Sequence, residues 1–207
     1  IDDFIVGCGS EALIAAIENA IDLTIWQASQ LNQLTYAPNL ELNSRYLGDF
    51  CPPASSQLIG LKSPKGTGKT FWLGKQVEPI IRNGGKKVLL LVHRIQLGSE
   101  LCLRLGISYI DEERGDDFGL WGFGLCVDSL HPNSKAKINP QDFEGCDLFL
   151  DECEQSIWHL LNSSTCQSDR VSILKTLKEI VETVLSTGGR IYLSDADLSD
   201  VSIDFIK

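Results

Sequence analysis

The sequence has 207 residues and a net charge of −10, from 18 basic and 28 acidic residues. That length suits one domain, or one domain with an additional segment. Apolar residues make up 43% and charged residues 22%, which is typical of a globular chain and excludes collagen, coiled coil and extended disorder. The negative charge argues against a domain that holds nucleic acid by bulk charge, but it leaves room for a local contact with DNA.

Neither a membrane span nor a secretory leader is predicted. No apolar run approaches the roughly 18 residues of a membrane helix, and the start carries Asp2 and Asp3 instead of a basic region. The seven cysteines include no CxxC pair, so we expect reduced, mostly buried thiols in a cytoplasmic protein, with no zinc site. The start at Ile1 and the lack of methionine predict a piece of a longer protein.

Residues 1–56 are predicted to be a mainly helical segment that ends in a linker. Ser10 is expected to cap a helix, which continues or restarts through Trp26 and Leu31. The apolar positions of this helix are Leu13, Ile14, Ile17 and Ile21. Pro38 and the Pro52-Pro53 pair then indicate irregular chain, so residues 37–56 are interpreted as a linker.

Residues 57–207 alternate between short apolar runs and amphipathic stretches. Strands are predicted near 58–61, 87–92, 107–109, 124–127, 147–150 and 190–193, and helices over 70–81, 96–105 and 170–186. Glycine pairs at 84–85 and 188–189 end two of the helices. This order predicts an α/β fold, in which a parallel sheet carries helices on both faces.

The most specific motif is a glycine-rich turn between the first strand and the helix after it. Its residues are Ser63, Pro64, Lys65, Gly66, Thr67, Gly68, Lys69 and Thr70. Glycines let the backbone N–H groups turn inward around a polyphosphate, Lys69 brings a positive charge to the outer phosphates, and the Thr70 hydroxyl can ligate Mg²⁺. Ser63 stands where the usual pattern has glycine, and the sequence does not reveal the effect. The simpler interpretation is a turn with a solvated lysine.

Two carboxylates follow the predicted strand at 147–150. Asp151 would hold Mg²⁺, and Glu152 would orient and deprotonate an attacking water. Such a pair can simply solvate the end of a strand. Here it lies 82 residues after Lys69 with strands between, which favours a role at the same site.

Two other strand ends carry polar residues that are candidates for contact with a nucleic-acid backbone. His93 and Arg94 follow one strand, and Ser129 and His131 follow another. Ligands gather at the carboxyl ends of strands in open α/β sheets. The alternatives are a solvated helix start for the first pair and a loop cap for the second.

A last strand end carries Ser194, Asp195 and Asp197. These residues would sense the terminal phosphate or couple it to a neighbouring domain, unless they form only an acidic turn. His159 has no partner pattern and receives no role. Three tryptophans are expected in the core or at its rim: Trp72, Trp121 and Trp158.

In this order, the five segments resemble the first RecA-like domain of superfamily 2 helicases. GTGKT resembles motif I, VHRIQL motif Ia, VDSLH motif Ib, LDECE motif II and LSDADLSD motif III. The resemblance is strongest to the cyanobacterial plasmid replication protein family, which pairs a primase-like domain with a helicase-like domain. The segments KSPKGTGKT, HRIQLGSELCLRLGI, LCVDSLHPNS, WHLLNSSTCQ and YLSDADLSD carry it. Origin-binding helicases of herpesviruses are similar at a greater distance.

The resemblance covers residues 57–207 and implies an ATP-dependent helicase. It implies that the motif III strand lies between the motif I and motif II strands, and that ATP hydrolysis with Mg²⁺ drives movement on DNA. The implied partners are ATP, single-stranded or unwinding DNA, a second RecA-like domain and a primase-like domain. Lys69 and Thr70 would bind phosphate and metal, Asp151 would assist the metal, and Glu152 would activate water.

The start of the chain, Ile1-Asp-Asp-Phe-Ile, resembles the end of the metal-binding (TOPRIM) core of bacterial-type primases. Residues 1–36 would then be the tail of such a domain. Without a second RecA-like domain the chain is expected to bind nucleotide weakly and to hydrolyse it very slowly. A nucleotide kinase and an interaction module with a vestigial loop remain as alternatives. Neither a lid nor a basic acceptor site for a kinase is evident.

Overall fold

The computed structural model describes residues 9–18, 20, 34–84, 87–110 and 122–207. The chain divides into two compact units, residues 1–33 and 34–207. In the first unit, helix α1 (Ser10–Glu18) begins at the residue that was predicted to cap it. The predicted continuation through Trp26 and Leu31 lies outside the described residues. The boundary between the units falls before the predicted one at 56/57.

The second unit contains a six-stranded sheet in which every pair of neighbouring strands is parallel. Its strands are β1 (Leu58–Lys62), β2 (Val88–Val92), β3 (Ser108–Tyr109), β4 (Gly122–Cys126), β5 (Asp147–Asp151) and β6 (Ile191–Asp195). Their order is β1-β6-β5-β2-β4-β3. Strand β6 therefore lies between β1 and β5, the arrangement that the resemblance implies for the corresponding motifs.

Helices cover both faces of this sheet. They are α2 (Lys69–Asn83), α3 (Ile95–Leu105), α4 (Cys153–Asn162), α5 (Arg170–Ser186) and α6 (Asp200–Ile206). Alternate side chains of β2 enter two different cores, because successive residues of a strand point to opposite faces. Leu89 packs with residues of α4, α5 and α6, whereas Leu90 packs with residues of α2 and α3. The predicted α/β fold is confirmed at this level.

The segment predicted as a linker is part of the second unit and packs against its helices. The Trp72 indole N–H donates to the Phe50 carbonyl at 3.0 Å, and the two rings stack with centroids 4.8 Å apart. The Leu47 N–H donates to the Thr67 carbonyl at 3.1 Å. Just before this segment, the Thr35 hydroxyl donates to the Asp200 carboxylate at 2.6 Å. The segment therefore flanks the glycine-rich turn.

The described cysteines are all free thiols, and five of the six are buried. Burial raises the pKa of Cys102 to about 12, so this thiol stays protonated at neutral pH. Trp72 is buried as predicted, Trp158 is exposed at the rim, and Trp121 lies outside the described residues. Among the described residues, no helix combines the length and the apolar character that crossing a membrane requires.

Candidate nucleotide-binding site

The glycine-rich turn joins the carboxyl end of β1 to the first residue of α2, Lys69. Gly66 and Gly68 have φ values of 79° and 88°, in the left-handed region that side chains disfavour. A Cβ at either position would meet no atom within 4 Å. The requirement for glycine is therefore conformational, and the open space around both residues leaves room for an anion at the amino end of α2.

Lys69 bends back over this turn. Its Nζ donates to the Ser63 carbonyl at 2.7 Å and to the Pro64 carbonyl at 3.1 Å. The ammonium group is thereby held over the turn, where it can exchange carbonyl oxygens for phosphate oxygens.

Ser63 fits the place of the usual first glycine without strain. Among the described residues, only Lys137 and Glu152 combine a side chain with a positive φ, so Ser63 needs no glycine-like conformation. Its hydroxyl lies 2.6 Å from the Thr67 hydroxyl, which in turn donates to the Pro64 carbonyl at 2.8 Å. The Ser63 hydroxyl therefore cross-links the turn.

Asp151 ends β5 with a carboxyl group that is 5% exposed. Its Oδ1 has no hydrogen-bond partner among the described residues. Burial raises the pKa of this carboxyl group, while the Ser194 hydroxyl beside it and the nearby Lys69 charge lower it. A buried carboxylate oxygen without a partner is the kind of group that a cation would satisfy. Asp151 ends its strand at the same edge of the sheet as the glycine-rich turn, with β6 between β5 and β1.

Glu152 follows in a strained backbone conformation, with φ 51° and ψ 51°. Holding a non-glycine residue there costs about 1–2 kcal/mol, and such strain concentrates at functional sites. This left-handed conformation at Glu152 turns the chain, so that α4 begins directly after β5. The carboxylate pair predicted from the sequence thus lies at the same edge of the sheet as Lys69. One strand, β6, separates β5 from β1.

The loop after β6 is fixed by hydrogen bonds to both neighbouring motifs. The Asp195 carboxylate accepts the N–H groups of Glu154 and Asp197, each at 3.0 Å, and its carbonyl accepts the Ser63 N–H at 3.1 Å. Ser194 is buried beside Asp151. Asp195 therefore joins three segments through its hydrogen bonds, and the predicted role in sensing phosphate or in coupling stays a prediction.

Glu154 was missed by the sequence reasoning. Its Oε1 accepts both the N–H and the hydroxyl of Ser199 at 2.7 Å, which joins the start of α4 to the start of α6. Its only signal in the sequence was its position two residues after Glu152. The helix α4 itself was not predicted, because no capping residue precedes it.

His93 does not suit the predicted contact with nucleic acid. Its side chain is buried at 7% exposure, and neither ring nitrogen has a partner among the described residues. Burial, then the charge of Arg94, lowers the pKa of the imidazole, so His93 is neutral at pH 7. Arg94 is exposed at the start of α3 and keeps its candidate role.

Replacing His93 with leucine is expected to reduce the loss of stability in mild acid. An unfolded histidine takes up a proton below about pH 6.5, whereas the folded one resists because its pKa is lowered. The unfolded state then binds more protons, so stability falls as the pH falls from about 6.5 toward the folded pKa. Urea unfolding at pH 7.5 and 5.5 should show a smaller difference for His93→Leu than for the parent chain. Equal differences would contradict this interpretation.

Ser129 and His131 follow β4, the next strand along from β2. Ser129 ends a 3₁₀ turn (Val127–Ser129), and both side chains are partly exposed. The His131 Nδ1 lies 3.7 Å from a carboxylate oxygen of Asp169. With Arg94, these residues share the carboxyl edge of the sheet, as predicted, although they lie two or more strands from β1.

An apolar pocket of about 360 Å³ opens beside the glycine-rich turn. It is lined by Tyr46, Leu47, Gly48, Thr67, Gly68, Phe71 and Trp72. The Tyr46 and Phe71 rings are largely exposed there. Three of these seven residues come from the segment interpreted as a linker, so the sequence offered no signal for the pocket. A flat aromatic group adjoining a polyphosphate matches this combination.

The fold and site define an α/β protein that has a six-stranded parallel sheet and a glycine-rich strand–helix turn beside two acidic residues. No family model matches the sequence. The chain is 43% identical over 211 residues to an uncharacterized protein of Picosynechococcus sp.. The match covers the whole of this chain and 21% of that protein, so the chain spans about a fifth of the relative's length.

Proposed function

We propose that the chain is the ATP-binding, RecA-like domain of a DNA helicase or translocase that acts in plasmid DNA replication. The observation that carries this proposal is that Lys69, at the start of α2, and the acidic end of β5 share the carboxyl edge of the parallel sheet. Lys69 follows the turn after β1, Asp151 ends β5, and only β6 lies between these two strands in the sheet. A cation beside a buried carboxylate, at one edge of a parallel sheet, suits a magnesium–nucleotide complex.

Each residue of this site has a distinct chemical task. The turn N–H groups and Lys69 would hold the phosphates, and Thr70 with Asp151 would hold Mg²⁺. When bound, Mg²⁺ supplies charge neutralisation on the phosphate oxygens. Glu152, partly exposed after β5, would orient the attacking water and accept its proton. Asp195 and Glu154 keep these segments in register through their hydrogen bonds.

The apolar pocket is the proposed site of the nucleotide base. Tyr46→Ala should weaken ATP binding about tenfold, because stacking of a base on an aromatic ring contributes about 1–3 kcal/mol. Titration with a fluorescent ATP analogue measures the effect. Tyr36→Ala, which removes an exposed tyrosine bonded to Asp204 outside the pocket, is the matched control. Equal affinities for Tyr46→Ala and the parent chain would contradict the assignment, as would an equal loss for inorganic triphosphate.

DNA and further domains are the remaining partners in this proposal. Arg94, Ser129 and His131 would contact the DNA backbone from the carboxyl edge of the sheet. The net charge of −10 limits this to a local contact, so affinity for DNA should be low and should fall with salt. In a longer chain, a second RecA-like domain and a primase-like domain would complete the proposed helicase.

The proposal is tested by the rate of ATP hydrolysis. The chain by itself should hydrolyse ATP very slowly, because an arginine supplied by a second domain is worth about 10³–10⁵ in rate. Joining a second RecA-like domain should restore hydrolysis that DNA stimulates and that Glu152→Gln abolishes. Rapid hydrolysis by the chain alone would contradict the proposal and favour a different P-loop enzyme. Nucleotide binding without hydrolysis in the longer chain would favour an interaction module.

A further inference from the structure

A thiol, an imidazole and a carboxylate meet at a second place in the fold, apart from the glycine-rich turn. Asp128 comes from the 3₁₀ turn after β4, His159 from α4, and Cys166 from the connection between α4 and α5. Their side-chain ligand atoms all lie within 4.8 Å of one another. Three separate elements therefore contribute one metal-ligating atom each to a single cluster.

Two of the three distances between these ligand atoms are close to those of a metal site, and the third is within 4.8 Å. The Cys166 Sγ lies 3.3 Å from Asp128 Oδ1, which itself lies 2.6 Å from His159 Nε2. Ligand atoms around a tetrahedral zinc ion are roughly 3.2–3.7 Å apart, as follows from bonds of about 2.0–2.3 Å. The first distance already fits, and the second would widen by less than about 1 Å. Small side-chain rotations supply that change.

The surroundings orient the ligands and leave a route from solvent. The Thr165 hydroxyl donates to Asp128 Oδ2 at 2.7 Å, which directs Oδ1 toward the other two ligands. Cys166 is fully buried, whereas the side chains of Asp128 and His159 are 31% and 21% exposed. A cation can therefore approach from the exposed side of Asp128 and His159 and reach the buried Cys166 thiol. Three protein ligands leave a fourth position for water.

The geometry points to a binding site for one borderline-soft divalent cation, zinc above all, formed by Asp128, His159 and Cys166. Cys166 binds as the thiolate and releases its proton to solvent, His159 binds through Nε2, and Asp128 binds through Oδ1. Sulfur and imidazole ligands favour zinc over Mg²⁺, which prefers oxygen. The sequence predicted no zinc site because its cysteines form no CxxC pair. The three ligands proposed here are separated in sequence and meet only in the fold.

The cation would tie the turn after β4 to α4 and to the start of the next connection. Asp128 immediately precedes Ser129, and α4 begins directly after Glu152. The site would therefore fix the position of a candidate DNA-contacting turn relative to the helix that follows the acidic pair. This role is independent of whether the glycine-rich turn binds ATP.

Titration of the metal-stripped chain with Co²⁺ tests the inference. We expect a near-ultraviolet sulfur-to-cobalt charge-transfer band together with visible bands of a four-coordinate ion. These bands should saturate at one equivalent and disappear on addition of Zn²⁺. Cys166→Ser should lose the charge-transfer band, whereas Cys102→Ser, a buried thiol on the opposite face of the sheet, should keep it.

His159→Gln and Asp128→Asn keep the test decisive if Cys166→Ser fails to fold, because both side chains are partly exposed. Each should weaken Co²⁺ binding at least about tenfold. Absence of any cobalt band in the parent chain would overturn the inference and leave a hydrogen-bonded cluster only. A charge-transfer band unchanged in folded Cys166→Ser, or affinity unchanged in both other variants, would overturn it as well.

Discussion

Lys69→Ala is expected to abolish measurable binding of ATP while leaving the fold intact. Its ammonium group donates to the Ser63 and Pro64 carbonyls, and Lys69 belongs to neither buried core, so its removal opens no cavity in either core. Loss of a cation that bonds to phosphate oxygens costs about 2–4 kcal/mol, or roughly 30- to 1,000-fold in affinity. Titration with a fluorescent ATP analogue in the presence of Mg²⁺ measures the change.

Lys178→Ala is the matched control for this experiment. Lys178 is an exposed lysine on α5, paired with Glu182 at 3.8 Å and far from the turn in sequence. Its removal should leave ATP binding unchanged. Saturable binding that survives in Lys69→Ala would contradict the assignment of the turn and would favour the alternative of a vestigial loop. If neither the parent chain nor Lys69→Ala binds the analogue, the same titration is repeated with a longer chain that includes a second RecA-like domain.

Gly189→Ala is expected to destabilise the second unit by at least about 3 kcal/mol, as severe overpacking against backbone does. A Cβ at this position would lie 2.0 Å from the Cys146 carbonyl oxygen and 2.8 Å from a Val184 methyl group. The Cys146 carbonyl belongs to backbone that leads into β5, so it has no room to retreat. Urea unfolding followed by circular dichroism measures the loss.

The adjacent Gly188 makes an informative comparison, because its backbone is the more unusual of the two. Gly188 has φ 80°, yet a Cβ there would meet no atom within 4 Å. Gly188→Ala should therefore cost only the left-handed strain of about 1–2 kcal/mol. The glycine with the ordinary φ is thus expected to be the more sensitive. The reverse order of stability would show that the backbone near β5 can yield.

Local patterns in the sequence predicted most of the second unit. The apolar run of β2 and the periodic face of α5 are properties of consecutive residues, and both elements lie within a few residues of their predicted positions. The glycine-rich turn and the acidic pair were also recognisable, since each is a short motif at a strand end. Their placement along the carboxyl edge then followed from the parallel strands.

Features that depend on distant parts of the chain could not be predicted in this way. The pocket beside the turn joins Tyr46 to Phe71, and the cluster at Cys166 joins residues from three elements. His93 was a candidate for contact with nucleic acid because it follows a strand, at the edge of the sheet where ligands gather, but the packing around β2 buries it. Which side chains meet, and which are covered, is decided by the tertiary fold and not by spacing.

The hydrogen bonds of Lys69 to its own turn would limit what this lysine contributes to the affinity for a nucleotide. A ligand does not enter an unoccupied coordination sphere; it competes with two carbonyl oxygens that already hold the ammonium group. Binding is therefore an exchange reaction, and only the difference between the two sets of contacts contributes to the affinity. An anion with several negative charges can win that exchange, whereas a single weakly charged group gains little. If the turn binds nucleotide as proposed, it would therefore select for polyphosphates by charge before any other part of the ligand is recognised.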